Sequence, residues 1–458
     1  MKRNFIFVFA VLCGTLLPPF TASGQTYFDF ALATDGQTAS ASNSIIRAVG
    51  NDKALVYYET STDHYLAVID TYGAVNRVSI GQNYMVRDMR YCNNTVFLCG
   101  TYLNQAFLLC VPYNDVATST GSTITSFFIS PLVTLTRMVV FTEPSTGVEK
   151  IIAVGEEVYQ PCPTPTSFYS CADRVVLECT YQIGTIMIDA SRITNDANHK
   201  EYVTEVIETD SYVALVGYFS DKSAISIHRC IKGPSVLASD FDNFFYYPGT
   251  SGDGCSIFHG CRMKEDTIAI ASLSVRELAP THKFETRIRT FDLQTMAMTT
   301  AQAIDLDEDK AEPEELVYLP QYQTLVMLQD FNFPTPASGH NYAFLHLKPY
   351  IASNYNANGW VEINTNPNPN PPLSYRSVDW LYDKFYISSG GNYWLMKNSL
   401  LDVTTTGCYD CHKIKVKNIK TFSPEMHFHS NTTNVYAGGP PITLIGNYQM
   451  MNSLCIIQ

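Results

Sequence analysis

The stretch Thr95–Pro112, TVFLCGTYLNQAFLLCVP, decides how this chain is read. It carries two apolar runs, Val96–Cys99 and Ala106–Val111, separated by a polar segment, and it predicts two strands joined by a turn that opens at Gly100. The run before it, VRDMRYCNN from Val86, supplies a third strand and makes a meander. Neither run has the three-four spacing of an amphipathic helix, and no longer window in the chain does so either. Tyr and Phe are abundant, at 29 and 25 residues, which suits strands. The expected fold class is all-β.

The same shape returns along the sequence. Aligned on this hairpin, eight units begin near Ile45, Val86, Leu135, Val203, Ile257, Glu314, Tyr375 and Glu425. Most are followed by a third strand, such as YLAVID from Tyr65 or AISIHRC from Ala224, and some by a fourth, such as TSFFIS from Thr125. The second strand often ends in a small residue (Gly100, Gly155, Gly217), where neighbouring elements crowd or a turn is needed.

A period of roughly 40 to 65 residues with about four strands per unit resembles the β-propeller architecture. A four-stranded sheet cannot bury both faces alone, whereas a ring of such sheets buries each face against a neighbour and leaves only short edges. The expectation is a propeller of eight four-stranded blades, or alternatively seven, in one domain over 25–458. Its ring is sealed by ITLIGNYQMMNSLCIIQ or by the N-terminal YFDFALAT pairing back. Stacked β-sandwiches are the competing arrangement, but no composition break divides the chain. The tract from Asn364 to Pro372, NTNPNPNPP, reads as a loop between units. The resemblance is one of architecture: the Trp-Asp ending of WD40 blades, the kelch glycine pair and the Asp box of sialidase-type blades are missing, so no family's site residues transfer.

Residues 1–24 read as a signal peptide, with Lys2 and Arg3 ahead of an apolar Phe5–Leu17, a Pro18-Pro19 break and small residues Ala22-Ser23-Gly24. The apolar run is too short to span a bilayer. The expectation is an exported protein, periplasmic, at the cell surface or secreted, without a transmembrane segment. Formal charge is −13 and becomes two units more negative once Lys2 and Arg3 leave. Such a surface disfavours nucleic acid and anionic lipid as partners.

Of 13 cysteines, Cys13 lies in the leader, and an even number remains for an oxidising compartment. The local disulfide candidates are Cys162 with Cys171, Cys255 with Cys261, and Cys92 with Cys99 across a hairpin. Cys408-Tyr409-Asp410-Cys411-His412 has the spacing of covalent haem attachment. It sits among strands in a single copy, so a tight disulfide of Cys408 and Cys411 is the preferred reading and no cofactor is expected. His427 and His429 with His412 make a weak imidazole set, and Asp305, Asp307 and Asp309 lack the glycine and distal glutamate of a calcium loop; no metal is expected. No Gly-x-Ser-x-Gly elbow or phosphate-cradling loop occurs, and catalytic residues are not assignable.

Two functions are compatible with these features. The first is a non-enzymatic propeller that binds a glycan or a protein partner, with Trp360, Trp380 and Trp394 as aromatic platforms or as core. The alternative is a polysaccharide-acting hydrolase or lyase with a carboxylate site on the ring axis.

Overall fold

The structure is a computed structural model. It describes residues 28–31, 39–50, 53–60, 62–70, 75–119, 123–130, 132–158, 172–182, 184–193, 195–196, 199–219, 225–237, 242–246, 255–277, 283–305, 311–320, 324–331, 342–347, 360–362, 374–381, 384–390, 393–397, 413–414, 418–421, 426–427 and 443–451. Nearly all of these are strand, and the strands pair antiparallel into seven sheets. In chain order the sheets occupy 39–79, 84–130, 132–193, 195–246, 255–305, 311–362 and 374–397. One short helix, Tyr113–Thr118, follows the third strand of the second sheet. Among the described residues no helix is long and apolar enough to cross a membrane.

Each sheet starts with its innermost strand, preceded in the fourth by the two-residue strand Asn195–Asp196, and each inner strand lies against the next: Ala39–Ala48, Tyr84–Cys92, Leu132–Thr142, His199–Glu208, Cys255–Arg262, Ala311–Leu319 and Ser374–Leu381, the last returning to the first. The arrangement is a β-propeller. Closure uses the N-terminal strand: Phe28–Ala31 pairs with Tyr393–Lys397 of the seventh sheet, Phe28 opposite Met396 and Ala31 opposite Tyr393. The expected pairing-back of YFDFALAT is therefore present.

The unit expected at Glu425 forms no sheet of its own among the described residues. Met426–His427 instead joins the outer strand of the fourth sheet, and Thr443–Met451 the outer strand of the second. Lys413–Ile414 and Asn418–Thr421 extend the sixth and fifth sheets in the same way. The chain thus runs back around the rim, and backbone groups that an outer strand would leave unpaired are satisfied by it. Sequence similarity to a hairpin is retained because a rim strand and a blade strand need the same residues.

The apolar continuity of Val96–Cys99 follows from burial on both faces. Val96 and Leu98 pack toward the first sheet with Leu66, Val86 and Phe107, while Phe97 and Cys99 pack toward the third with Leu135, Ile151 and Leu177. A strand buried on both sides has no polar face to alternate with. The turns are two-residue hairpins with left-handed backbone at Asn93 (φ 44°), Asn94 (φ 62°), Leu103 (φ 46°) and Asn104 (φ 64°). The turn in the quoted stretch therefore lies at Leu103-Asn104, and Gly100 stays within the strand Thr95–Tyr102.

Gly100 is explained by crowding. It pairs with Val86 immediately before a bulge at Arg87 in the inner strand, and a Cβ on it would stand 2.0 Å from the Met85 carbonyl oxygen. Gly217 repeats this, with the Tyr202 carbonyl oxygen 2.1 Å from its virtual Cβ and a bulge at Thr204. Gly155 faces Leu135 ahead of the bulge at Thr136. Register shifts recur in the inner strands of the other sheets as well.

The hairpin cross-link expected between Cys92 and Cys99 is not formed. Cys92 lies opposite Thr95 and Cys99 opposite Asp88, so the register separates them, and both are free thiols. Cys261 is also a free thiol, and the side chain of Cys255, its expected partner, lies outside the described residues. Cys162, Cys171, Cys408 and Cys411 lie outside the described residues, as do the leader, His412 and His429. Cys99, Cys110 and Cys179 are buried, and burial pushes each thiol well up from its ordinary range. A thiol reagent added to the folded protein should leave these three unmodified while labelling them at once in denaturant. Rapid labelling of any of them in the folded state would contradict the packing.

Candidate functional site on the ring axis

The inner strands enclose an axial cavity of about 690 Å³, and all seven contribute to its wall. That volume is in the range that holds a small organic ligand. The bulges control what lines it. By adding a residue to the inner strand, a bulge re-aims the side chain that follows; here those side chains are Asp88, Arg137, Glu205 and Glu315, all of which line the cavity. Arg47, Arg90, His259 and Asp379 join them from the other inner strands and from farther along the second.

Asp88 is the anchor. Its side chain is 2% exposed and ion-paired with Arg47 (3.3 Å) and Arg90 (3.1 Å). It also accepts the backbone N–H groups of Met89 (2.8 Å) and, from the third sheet, Met138 (3.0 Å). Burial alone would raise its pKa, but Arg90, Arg47 and Arg137 together with the Met138 N–H hold it below the usual carboxylate range. Arg47 donates to the Met89 and Ile46 carbonyls (3.1 and 2.8 Å) and reaches Glu315 across the axis (3.4 Å). Burial pulls the Arg47 pKa down, and Glu315, Asp88, Asp379 and Glu205 reverse this and leave it raised. Asp379 accepts the Ala48 N–H at 2.7 Å, joining the seventh sheet to the first.

On the other side, Arg137 pairs with Glu205 (3.4 Å), and His259 Nδ1 lies 3.3 Å from the same carboxylate oxygen. Glu205 is depressed: burial would raise it, but Arg137 and His259 lower it further. Arg90 donates to the Met138 carbonyl at 2.8 Å. Tyr91, 36% exposed, and Tyr318 add aromatic surface to the wall.

These residues were not singled out by motif, yet they carry a signal. In five of the aligned units the third residue is the cavity residue: Arg47, Asp88, Arg137, Glu205 and His259 follow Ile45, Val86, Leu135, Val203 and Ile257 by two positions. A polar residue recurring at one register of an otherwise apolar repeat marks the ring axis. The expected features lie elsewhere. Trp360, Trp380 and Trp394 belong to strands of the sixth and seventh sheets, and their side chains lie outside the described residues. His427 is on the rim, Asp305 ends an outer strand of the fifth sheet, and Asp307 and Asp309 lie outside the described residues.

No protein family and no curated protein matches the chain. Among solved structures it is similar to virginiamycin B lyase from Staphylococcus aureus, at 9% identity and a TM-score of 0.49, over 82% of this chain and 99% of that one. A catalytically inactive form of that lyase with quinupristin aligns over the same shares at 10% identity and a TM-score of 0.46. Prolyl oligopeptidase B from Galerina marginata matches at 9% identity and a TM-score of 0.41, over 77% of this chain and 48% of that one. Likeness at this level is one of fold and carries no ligand or chemistry to this chain.

Proposed function

We propose that this chain is an exported binding module whose axial cavity takes a saccharide. The observation that carries the reading is the convergence of charged side chains and Tyr91 from the inner strands on one cavity of ligand size. Carboxylates and guanidiniums bond sugar hydroxyls in pairs, and a tyrosine ring stacks on the apolar face of a pyranose. The cavity charges also hold one another in place, so the site is preorganised before a ligand arrives. The leader-like N-terminus supports export.

A glycoside hydrolase needs one carboxyl kept protonated as an acid beside one kept ionised. Asp88 and Glu205 are both held below the usual carboxylate range, so neither of these two is kept protonated as such an acid. One contact favours an enzyme: His259 beside Glu205 has the layout of a base oriented by a carboxylate. New reducing ends or unsaturated products from an oligosaccharide panel would establish that second reading.

The binding reading is tested by thermal unfolding against a panel of neutral and acidic oligosaccharides. A ligand at 100 times its Kd adds about 2.7 kcal/mol, which moves the midpoint of a protein of this size by about three degrees. The expected result is a reproducible shift with one saccharide class that Tyr91→Ala removes. A shift that Tyr91→Ala leaves intact places the ligand elsewhere, and no shift with any saccharide refutes the reading.

A further inference from the structure

The cavity charges are segregated. The first three sheets contribute Arg47, Arg87, Arg90 and Arg137 against Asp88 alone, whereas the fourth, sixth and seventh contribute Glu205, Glu208, Glu315 and Asp379; between them the fifth contributes His259, beside Glu205, and Arg262, paired with Asp210. Where the walls meet, Arg137 pairs with Glu205 and the Ala48 N–H donates to Asp379, while Arg47 reaches Glu315 across the axis. The basic wall keeps unused donors. Arg90 engages the Met138 carbonyl through Nε and Asp88 through one Nη, leaving the other Nη without a contact among the described residues. Arg137 engages Glu205 through Nε and the carbonyls of Arg87 and Thr136 through Nη1, leaving Nη2. Arg87 is exposed, and its guanidinium makes no hydrogen bond or ion pair among the described residues. The bond from Arg137 to the Arg87 carbonyl, 3.4 Å, ties the two strands that carry these groups.

We infer that the ligand is acidic: a short saccharide bearing a carboxylate or sulfate, whose anionic group meets Arg87, Arg90 and Arg137 while its hydroxyls donate to the carboxylates of the opposite wall. The inference rests on the reading of the axial cavity as a saccharide site. Three guanidiniums with spare N–H groups on one wall repel one another and match a planar or tetrahedral oxyanion. Asp88 keeps Arg90 in place, so little order has to be imposed on binding. The carboxylates of the opposite wall, Glu205, Glu315 and Asp379, suit hydroxyl donors and disfavour a second anion. With a formal charge of −13 the whole chain repels a long polyanion, so the ligand is a fragment that fits inside rather than a polymer lying across the face.

The test is titration calorimetry with a trisaccharide that carries a single uronate residue and with the methyl ester of that residue, in the wild type and in Arg87→Gln. Arg87 is exposed and outside the ion-pair network, so the variant keeps the fold. The acid should bind the wild type at least about tenfold more tightly than the ester, and Arg87→Gln should remove most of that preference. If the ester binds as well as the acid, the acidic-ligand inference fails and the saccharide site stands. If neither binds, the acidic-ligand inference fails, and the saccharide reading falls with it only if the oligosaccharide panel also gives no shift. A preference for the acid that Arg87→Gln does not change also overturns the inference, because the anion is then read elsewhere.

Discussion

Gly100→Ala should cost the fold about 3 kcal/mol or more, and Gly217→Ala the same, in midpoints of urea unfolding. The ground is space, since neither glycine has the left-handed backbone that excludes other residues. An added Cβ at Gly100 would meet the Met85 carbonyl oxygen at 2.0 Å, and at Gly217 the Tyr202 carbonyl oxygen at 2.1 Å. Overpacking that side chains can absorb costs about 1–3 kcal/mol. Here the obstacle is backbone, and moving it means undoing the bulge that presents Asp88 or Glu205. Gly155→Ala should be milder, because two of its three nearest neighbours are the leucine side chains of Leu135 and Leu132, at 2.8 and 3.0 Å. Gly147 provides the contrast: it has φ +70° and open space around it, so alanine there costs only the left-handed penalty of about 1–2 kcal/mol. If Gly100→Ala unfolds within about 0.5 kcal/mol of the wild type, the bulge does not need the glycine and the packing argument is wrong.

That same bulge marks what the sequence could and could not reveal. Strands such as Val96–Cys99 were legible because burial on both faces leaves a run of apolar residues, and the ring was legible because such sheets need neighbours on both sides. Gly100 reads as a turn in the sequence because glycine serves turns and close contacts alike, and the Met85 carbonyl that stands opposite it belongs to the neighbouring strand. The unit at Glu425 looked like a further blade because strands that extend a rim carry blade-like residues; which edge they join depends on where the chain travels, and no local pattern encodes that. The cavity residues sit in plain view at a fixed register of the repeat, from Arg47 to His259, but each taken alone reads as an ordinary polar residue on a strand. Their pairing across the axis, as between Arg47 and Glu315, joins positions far apart in the chain, and short-range spacing is silent about it.

Asp88→Asn should be the most damaging single change at the axis, lowering stability by about 3–5 kcal/mol near neutral pH. The amide keeps the size and one acceptor of the carboxylate, but it turns two donors toward a site that already faces the Met89 and Met138 N–H groups and two guanidiniums. Arg47 and Arg90 then lose their shared counter-charge, and breaking one partner of a buried ionic network costs more than the network itself contributes. The pH dependence separates this from a mere loss of shape. The Asp88 pKa is depressed in the folded protein relative to its ordinary 3.8, so its contribution is complete above that value and is lost as pH falls through the depressed one. Glu205, also depressed, contributes in the same direction from its ordinary 4.5. The wild type should therefore lose stability on acidification more steeply than Asp88→Asn, and the gap between the two should narrow toward acid, with the Glu205 part remaining in both. A gap that stays constant from neutral to acid pH would mean that the loss comes from packing alone, and that the charge on Asp88 does not hold the arginines of the cavity wall in place.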